Sequence, residues 1–317
     1  MLIAIFGLGG AGGYFGGRLA QAGERDDSLQ IIFIARGEHL RSIQERGLRV
    51  DSLQGDFTAR PALATDDPRQ VGEVDVVLVG VKAWQVPEAS AAIQPMMGRL
   101  TCVVPLQNGV DAPEQLAHVL GREHVLGGMC QISSLLAGPG YIRHVGLEPY
   151  IAFGELSGLR SERAERLLQA FELAVGVRAE VSPDIQAAMW RKFLFIAAVS
   201  GVGAVTRAPI GVIRSLAETR QLLVQAMQEI NSLAQRRGIR LPEDIVRSTL
   251  AFVDGLEPSV IPSMQRDLVA GRPSELAAQN GAVLRIGSEV ALQTPIHAFL
   301  YGSLLPQELK ARGELDY

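Results

Sequence analysis

The chain has 317 residues, of which 47% are hydrophobic and 20% are charged. This composition excludes an intrinsically disordered chain, and the length allows two globular domains. The net charge of −4 at pH 7 argues against a nucleic-acid-binding surface, so the expected partner is a small molecule.

The apolar runs are too short to cross a membrane. Residues 2–6 lack the length and the basic flank of a signal-peptide core. Residues 193–205 are interrupted by a serine and two glycines, and they fall short of the roughly 20 residues that a span requires, so they predict a buried helix. We therefore expect a cytoplasmic protein without membrane contact. Cys102 and Cys130 are predicted to be packed thiols, and no metal site is expected because the five histidines lack metal-ligand spacing.

The first predicted element is a strand over residues 2–6, which leads directly into a glycine-rich loop and a helix. The loop follows the pattern G-x-G-x-x-G and consists of Gly7, Leu8, Gly9, Gly10, Ala11 and Gly12. In dinucleotide-binding domains the first glycine permits a tight turn, the second admits the pyrophosphate and the third allows close helix packing. The pattern between a strand and a helix predicts such a site, and a merely glycine-rich turn is the alternative.

The second predicted strand, residues 31–35, ends at Arg36. NAD-binding domains usually carry an acidic residue here, to hold the ribose hydroxyls. A guanidinium suits a 2′-phosphate instead, which favours NADP over NAD. In the alternative interpretation, Arg36 is a solvated residue at the end of a strand.

Further strands follow in the chain. Residues 48–62 alternate between apolar and polar residues and predict a hairpin, whereas residues 75–81 and 101–106 are continuous apolar runs typical of a parallel sheet. These runs end at Lys82 and Asn108, which should face the same crevice as the glycine loop. Alternatively, Asn108 and the glycine after it form an ordinary turn.

The rest of the chain divides near residue 182. Residues 125–156 predict antiparallel strands that extend the sheet, and a helix over 161–174 and a strand over 177–181 follow. Beyond this point the pattern is typical of helices separated by prolines. We therefore predict an α/β Rossmann-type doubly wound domain over 1–182 and an all-helical substrate and catalytic domain over 183–317.

Several separated segments resemble the ketopantoate reductases (2-dehydropantoate 2-reductases). Besides the glycine loop and Arg36, they are Lys82-Ala83-Trp84-Gln85, Asn108-Gly109, Trp190-Arg191-Lys192, Pro209-Ile210-Gly211, Ser263-Met264-Gln265-Arg266-Asp267, Glu275 and Asn280-Gly281. The resemblance implies NADPH-dependent reduction of 2-dehydropantoate to pantoate, on the pathway to pantothenate and coenzyme A. It also implies a Rossmann domain followed by a helical domain, with the active site in the cleft between them.

The resemblance also implies roles for individual residues. Lys192 would be the catalytic lysine, and Glu275 a catalytic or orienting acid. The implied substrate contacts are Asn108, Ser200 and Ser263. The implied cofactor contacts are the glycine loop, Arg36 near the 2′-phosphate, Lys82, Gln85 and Asn108.

The chemistry of a ketone reduction agrees with these roles. Hydride transfer leaves negative charge on the ketone oxygen, which a lysine ammonium stabilises and protonates. Lys192 lies at the start of a nearly apolar predicted helix, where burial requires a partner such as Glu275. Alternatively, Lys192 reaches solvent at the helix start, and Glu275 is an early acid of an ordinary helix.

One pair of positions departs from the family pattern. The family has asparagines one and two helical turns after the lysine, where this chain has Ile196 and Ser200. Ser200 can still donate a hydrogen bond, but Ile196 cannot. The alternatives are therefore a reductase of another small 2-oxo acid, or a non-enzymatic NADP sensor whose helical domain mediates dimerisation. A homodimer is possible in either case, since the apolar helices can bury their faces within the domain or across a dimer.

Overall fold

A computed structural model describes residues 1–316. The chain forms two compact units, one of Met1–Gln107 with Ala112–Ala188 and the other of Asn108–Asp111 with the chain from Met189 onward. The domain bounds of 1–182 and 183–317 remain a prediction, because a compact unit is not by itself an independently folding domain.

The first unit contains the strands of the protein that the structure describes. In chain order they are Leu2–Phe6 (β1), Gln30–Ile34 (β2), Leu48–Asp51 (β3), Phe57–Ala59 (β4), Leu63–Thr65 (β5), Val76–Val79 (β6), Cys102–Pro105 (β7), Leu126–Gly138 (β8), Tyr141–Glu155 (β9) and Arg178–Val181 (β10). Its helices are Gly10–Gly23 (α1), Gly37–Arg46 (α2), Val86–Ile93 (α3), Ala112–Leu120 (α4) and Glu162–Glu172 (α5).

The parallel sheet has the strand order β5-β2-β1-β6-β7. Both of its faces are covered, because alternate residues of β1 enter different cores. Ile3 and Ile5 pack in the cluster that contains α1 residues such as Phe15, whereas Ala4 and Phe6 pack in the cluster of α3 and α4. Burial on both faces explains the continuous apolar runs that predicted these strands.

The strands of residues 125–156 correct one prediction. They are antiparallel, but they do not extend the parallel sheet. β8 and β9 form a long hairpin in a second sheet, in which β9 also pairs with β10 and β3, and β3 pairs with β4. β9 is long enough to hold β3 along its first part and β10 along its last part. Strand alternation predicts the pairing type but does not identify the sheet that a hairpin joins.

Cys102 in β7 and Cys130 in β8 are buried thiols, as predicted. Burial raises the pKa of the Cys102 thiol to about 12, so this residue stays protonated at neutral pH. A protonated thiol is a poor nucleophile and metal ligand, which agrees with a packing role.

The second unit is helical. Its helices are Ile185–Thr206 (α6, of which residues up to 188 belong to the first unit), Ile210–Ser215 (α7), Ala217–Arg236 (α8), Ile245–Gly255 (α9), Ser263–Val269 (α10), Ala282–Glu289 (α11) and Pro295–Ala311 (α12). A π-helical turn, Ala277–Gly281, precedes α11. Pro209, Pro262 and Pro295 stand at the starts of α7, α10 and α12, where a missing N–H costs nothing.

Helix α6 is long and apolar enough to cross a membrane, but 67% of its most apolar 18-residue stretch is buried inside the protein. Its buried side chains include Leu194, Ala197 and Val202, which form a core with α8 and α11. A helix that is apolar all round is expected in such a core. The prediction of a buried helix is confirmed.

Candidate active site

The glycine loop has a backbone that requires glycine. Gly7 follows β1 with φ +95°, and a Cβ added there would lie 2.7 Å from Val81 Cγ1. A Cβ added to Gly12 would overlap the carbonyl oxygen of Gly7 and lie 3.3 Å from Gly80 Cα. The first glycine therefore makes the turn and the third lets α1 pack against the ends of β1 and β6.

The start of α1 fits a pyrophosphate. Gly9 is the N-cap residue, and it has no side chain to occupy the amides of the first helical turn. A Cβ added to Gly9 would meet only Gly80 O, at 3.7 Å, so this side of the loop is open. Free amides and the helix dipole favour an anion at this position.

Arg36 lies beyond the end of β2, at the N-cap of α2. Both of its terminal nitrogens donate to the same oxygen of Glu88, Oε1, at 3.1 Å. Glu88 is in the first turn of α3, and each side chain is 65% exposed. The structure thus pairs Arg36 with an acid that the sequence analysis missed. No sequence pattern marks it, because the two residues are 52 positions apart.

Lys82 and Gln85 belong to a short turn between β6 and α3. The Lys82 backbone N–H donates to Gln85 Oε1 at 3.1 Å, and Lys82 Nζ lies 5.7 Å from the centre of the Trp84 ring. The Gln85 side chain therefore stabilises the start of this turn. The cofactor-binding roles of Lys82 and Gln85 remain predictions.

A second residue that the sequence analysis missed is Gln107. It is buried directly after the strand run that ends at Leu106, and its Nε2 donates to Val79 O at 2.8 Å and Val81 O at 2.9 Å. These bonds join the carboxyl ends of β6 and β7. They fix the backbone immediately before Asn108.

The second unit brings together Asn108 and Glu275, which are 167 positions apart. Asn108 Nδ2 donates to Glu275 Oε2 at 2.9 Å, and Gln279 Nε2 donates to the same oxygen at 3.4 Å. Glu275 is only 7% exposed, and these two bonds hold its buried carboxyl group in one orientation. Asn108 also forms a turn, since Gly109 has φ +106°. The turn and the site interpretations of Asn108 are therefore compatible.

The segment that carries Glu275 is not an ordinary helix start. It leads into the π-helical turn Ala277–Gly281, and such turns occur frequently at functional sites. The preceding residue, Ser274, donates its backbone N–H to both oxygens of Glu308 at 3.1 Å and its hydroxyl to Oε2 at 2.5 Å. Arg312 Nε in turn donates to Glu308 Oε1 at 2.7 Å. A buried acid from α12 thus anchors the backbone beside Glu275.

Lys192 lies about two turns inside α6 and is half-buried. The prediction that it stands at the helix start is wrong, because α6 begins at Ile185. Asp184 Oδ1 accepts the Ala187 N–H at 2.9 Å, which stabilises the helix start before the apolar run. An ammonium at this position is held by a rigid helix.

The two positions that depart from the family pattern lie further along α6. Ile196, one turn after Lys192, is half-buried. Ser200 is 0% exposed, and its hydroxyl has no hydrogen-bond partner among residues 1–316. Ser263 is half-buried at the start of α10. The substrate-binding roles of Ser200 and Ser263 remain predictions.

The predicted residues divide between the two units. The glycine loop, Arg36, Lys82 and Gln85 are in the first unit, and Asn108, Lys192, Ser200, Ser263 and Glu275 are in the second. The residues predicted to bind only the cofactor thus lie in the first unit. The predicted substrate contacts lie in the second, together with Lys192 and Glu275, and Asn108 among them is also a predicted cofactor contact.

Comparisons with known proteins cover nearly the whole chain. The family model described as ketopantoate reductase PanE/ApbA matches residues 3–158, and its C-terminal counterpart matches residues 184–308. The 2-dehydropantoate 2-reductase of Mesorhizobium japonicum is 32% identical over 315 residues, which cover 93% of this chain and 94% of that protein.

Solved structures share the fold. A PanE/ApbA family ketopantoate reductase from Ralstonia eutropha has a TM-score of 0.88 at 28% identity, over 98% of this chain and 100% of that chain. A D-mandelate dehydrogenase solved with NADH and anilino(oxo)acetate has a TM-score of 0.86 at 22% identity, over 98% of this chain and 99% of that chain. This second likeness shows the fold alone. The predicted fold class, a Rossmann-type domain with a helical domain, is confirmed.

The matched family, the glycine loop and the fold lead to one assignment. The chain belongs to the ketopantoate reductase PanE/ApbA family, and it is an oxidoreductase that acts on a keto or hydroxyl group with a nicotinamide cofactor.

Proposed function

We propose that this protein reduces 2-dehydropantoate to pantoate with NADPH. The observation that carries the proposal is the hydrogen bond of 2.9 Å between Asn108 and the buried Glu275 carboxylate. A buried carboxylate is costly unless it is bonded, and here it is held by two side-chain amides. Such an oriented carboxylate suits a substrate that carries a hydroxyl group, as 2-dehydropantoate does.

The residues have distinct roles in the proposed reaction. The glycine loop and Arg36 would hold NADPH, which would supply the hydride for the carbonyl carbon of the substrate. The Lys192 ammonium stabilises the negative charge that develops on the carbonyl oxygen and gives that oxygen its proton. Glu275 accepts a hydrogen bond from the substrate and orients it, while Asn108 holds Glu275. The product is a 2-hydroxy acid.

The preference for NADPH rests on Arg36. Its guanidinium is exposed beyond the end of β2, where the 2′-phosphate of a bound dinucleotide belongs.

Replacing Arg36 with alanine should raise Kd for NADPH by about tenfold to 100-fold, because a charge-assisted pair is lost, and leave Kd for NADH nearly unchanged. Titration of both cofactors by fluorescence measures this. An unchanged preference would mean that another residue recognises the phosphate.

A second candidate function is the reduction of another 2-oxo acid. The observation that favours it is Ile196, which is half-buried one turn after Lys192 and replaces a polar amide of the family pattern with an apolar side chain. The same fold is also found in a D-mandelate dehydrogenase solved with NADH and anilino(oxo)acetate. The third candidate from the sequence is a non-enzymatic sensor. The assignment to an oxidoreductase family does not support it.

A panel of oxo acids distinguishes the two enzymatic candidates. We expect kcat/KM with NADPH to be highest for 2-dehydropantoate, and at least about tenfold lower for 2-oxoisovalerate and phenylglyoxylate, because they lack its terminal hydroxyl. The variant Ile196→Asn should raise kcat/KM for 2-dehydropantoate relative to kcat/KM for the apolar acids. A wild-type preference for an apolar oxo acid would replace the first proposal with the second.

A further inference from the structure

The ion pair between Arg36 and Glu88 lies at the dinucleotide end of the parallel sheet. Arg36 follows β2, and Glu88 belongs to α3, which follows β6. Strands β2 and β6 are the two neighbours of β1, from which the glycine loop emerges. Gly7 N donates to Ile34 O at 3.1 Å and so connects the loop to the end of β2. The pair therefore links the segments that follow β2 and β6, the two strands on either side of β1.

The Glu88 carboxylate accepts hydrogen bonds from the same Arg36 nitrogens that would bind a 2′-phosphate. One carboxylate oxygen accepts from both terminal nitrogens of Arg36, at 3.1 Å each. A phosphate monoester carries a charge of about −1.5 to −2 at neutral pH and binds arginine through the same nitrogens. Because the pair is 65% exposed on each side, its own stability is small, but the negative charge of Glu88 remains beside the phosphate position.

We propose that Glu88 is a cofactor-selectivity residue, whose carboxylate competes with the 2′-phosphate of NADPH for Arg36. Glu88 thus limits the preference for NADPH that Arg36 creates. This inference rests on the proposed role of Arg36 and adds a second, opposing residue to it. NADH lacks the phosphate, so Glu88 does not oppose its binding.

The test compares cofactor affinities of the full-length variants Glu88→Gln and Glu45→Gln. Glu88→Gln should lower Kd for NADPH by about threefold to tenfold, in the range expected for exposed charges a few ångströms apart, and change Kd for NADH by less than about twofold. Glu45 is the matched control. It is an exposed acid paired with Arg46 in the last turn of α2, about 12 Å along the helix from Gly37. Glu45→Gln removes the same charge and should leave both affinities unchanged.

Two results would overturn the proposal. The first is an unchanged ratio of the two dissociation constants in Glu88→Gln. The second is a rise in the ratio of Kd for NADH to Kd for NADPH that comes only from weaker binding of NADH. Glu88 would then be a ligand of the ribose hydroxyls. Arg36→Ala separates this proposal from the one it rests on. If Arg36→Ala leaves NADPH binding unchanged, the phosphate site itself is misassigned. If Arg36→Ala weakens NADPH while Glu88→Gln has no effect, only the role of Glu88 is wrong.

Discussion

Lys192→Ala is expected to lower kcat by about 10²-fold to 10⁴-fold while Kd for NADPH stays within about twofold of the wild type. The reason is that the ammonium interacts with charge that exists on the substrate oxygen only in the transition state. An interaction of this kind lowers kcat and kcat/KM together when it is lost. Steady-state kinetics with 2-dehydropantoate and a separate cofactor titration measure the two quantities.

The neighbouring residue provides the control for this prediction. Arg191 is exposed on the same helix, so Arg191→Ala removes a positive charge without removing the proposed proton donor. It should retain most of the wild-type kcat. Lys192→Arg should remain strongly impaired, because a guanidinium keeps the charge but hardly releases a proton. Near-normal turnover of Lys192→Ala would contradict the catalytic role of the lysine.

Glu275→Gln is expected to lower kcat/KM by about 10²-fold, through loss of a charge-assisted hydrogen bond to the substrate and loss of its orientation. Glutamine has the same shape, but only one of its two terminal atoms is an acceptor oxygen. It cannot present an acceptor both to the two amide donors and to the substrate. In the wild type, Asn108 and Gln279 both donate to Oε2. Kinetics with 2-dehydropantoate and a thermal melt measure activity and stability separately.

The control for Glu275 comes from the same unit. Glu257 is exposed after α9, and Glu257→Gln should change neither kcat/KM nor Tm. For Glu275→Gln we expect the folded state to survive, since the side-chain volume is conserved in a site that already contains amide groups. A Tm close to the wild type with unchanged kcat/KM would show that Glu275 has only a packing role.

Much of the fold was predictable from local patterns. The continuous apolar runs predicted β6 and β7 because a parallel strand is buried on both faces, and the alternation in residues 48–62 predicted the β3–β4 pair. The prolines at the starts of α7, α10 and α12 marked helix boundaries. By contrast, nothing local predicted that the β8–β9 hairpin forms a second sheet. That choice depends on the length of β9, which holds two further strands at different places along its edge.

The roles of the candidate site residues remain predictions. The glycine loop, Arg36, Lys192 and Glu275 were chosen from residue types and from the family resemblance. The start of α6 was misplaced, because the helix begins at Ile185, just after Asp184, and not at the apolar run from Phe193. Gln107, Gln279 and Glu308 were missed, since buried amides and acids have no periodic pattern. The partners of Gln107 and Glu308 are also distant in the chain.

The sequence by itself determined the sharp turn after β1 and the close packing of α1, since Gly7 and Gly12 are local requirements of the backbone, and it predicted a dinucleotide site there. It also determined which residue types were available for the reduction of a ketone. Only the tertiary structure decided how these residues pair. It bonds Asn108 to Glu275 and Arg36 to Glu88, because contacts between distant segments depend on the packing of whole strands and helices. The Arg36–Glu88 pair places an acid beside the guanidinium that the sequence alone predicted to bind the 2′-phosphate.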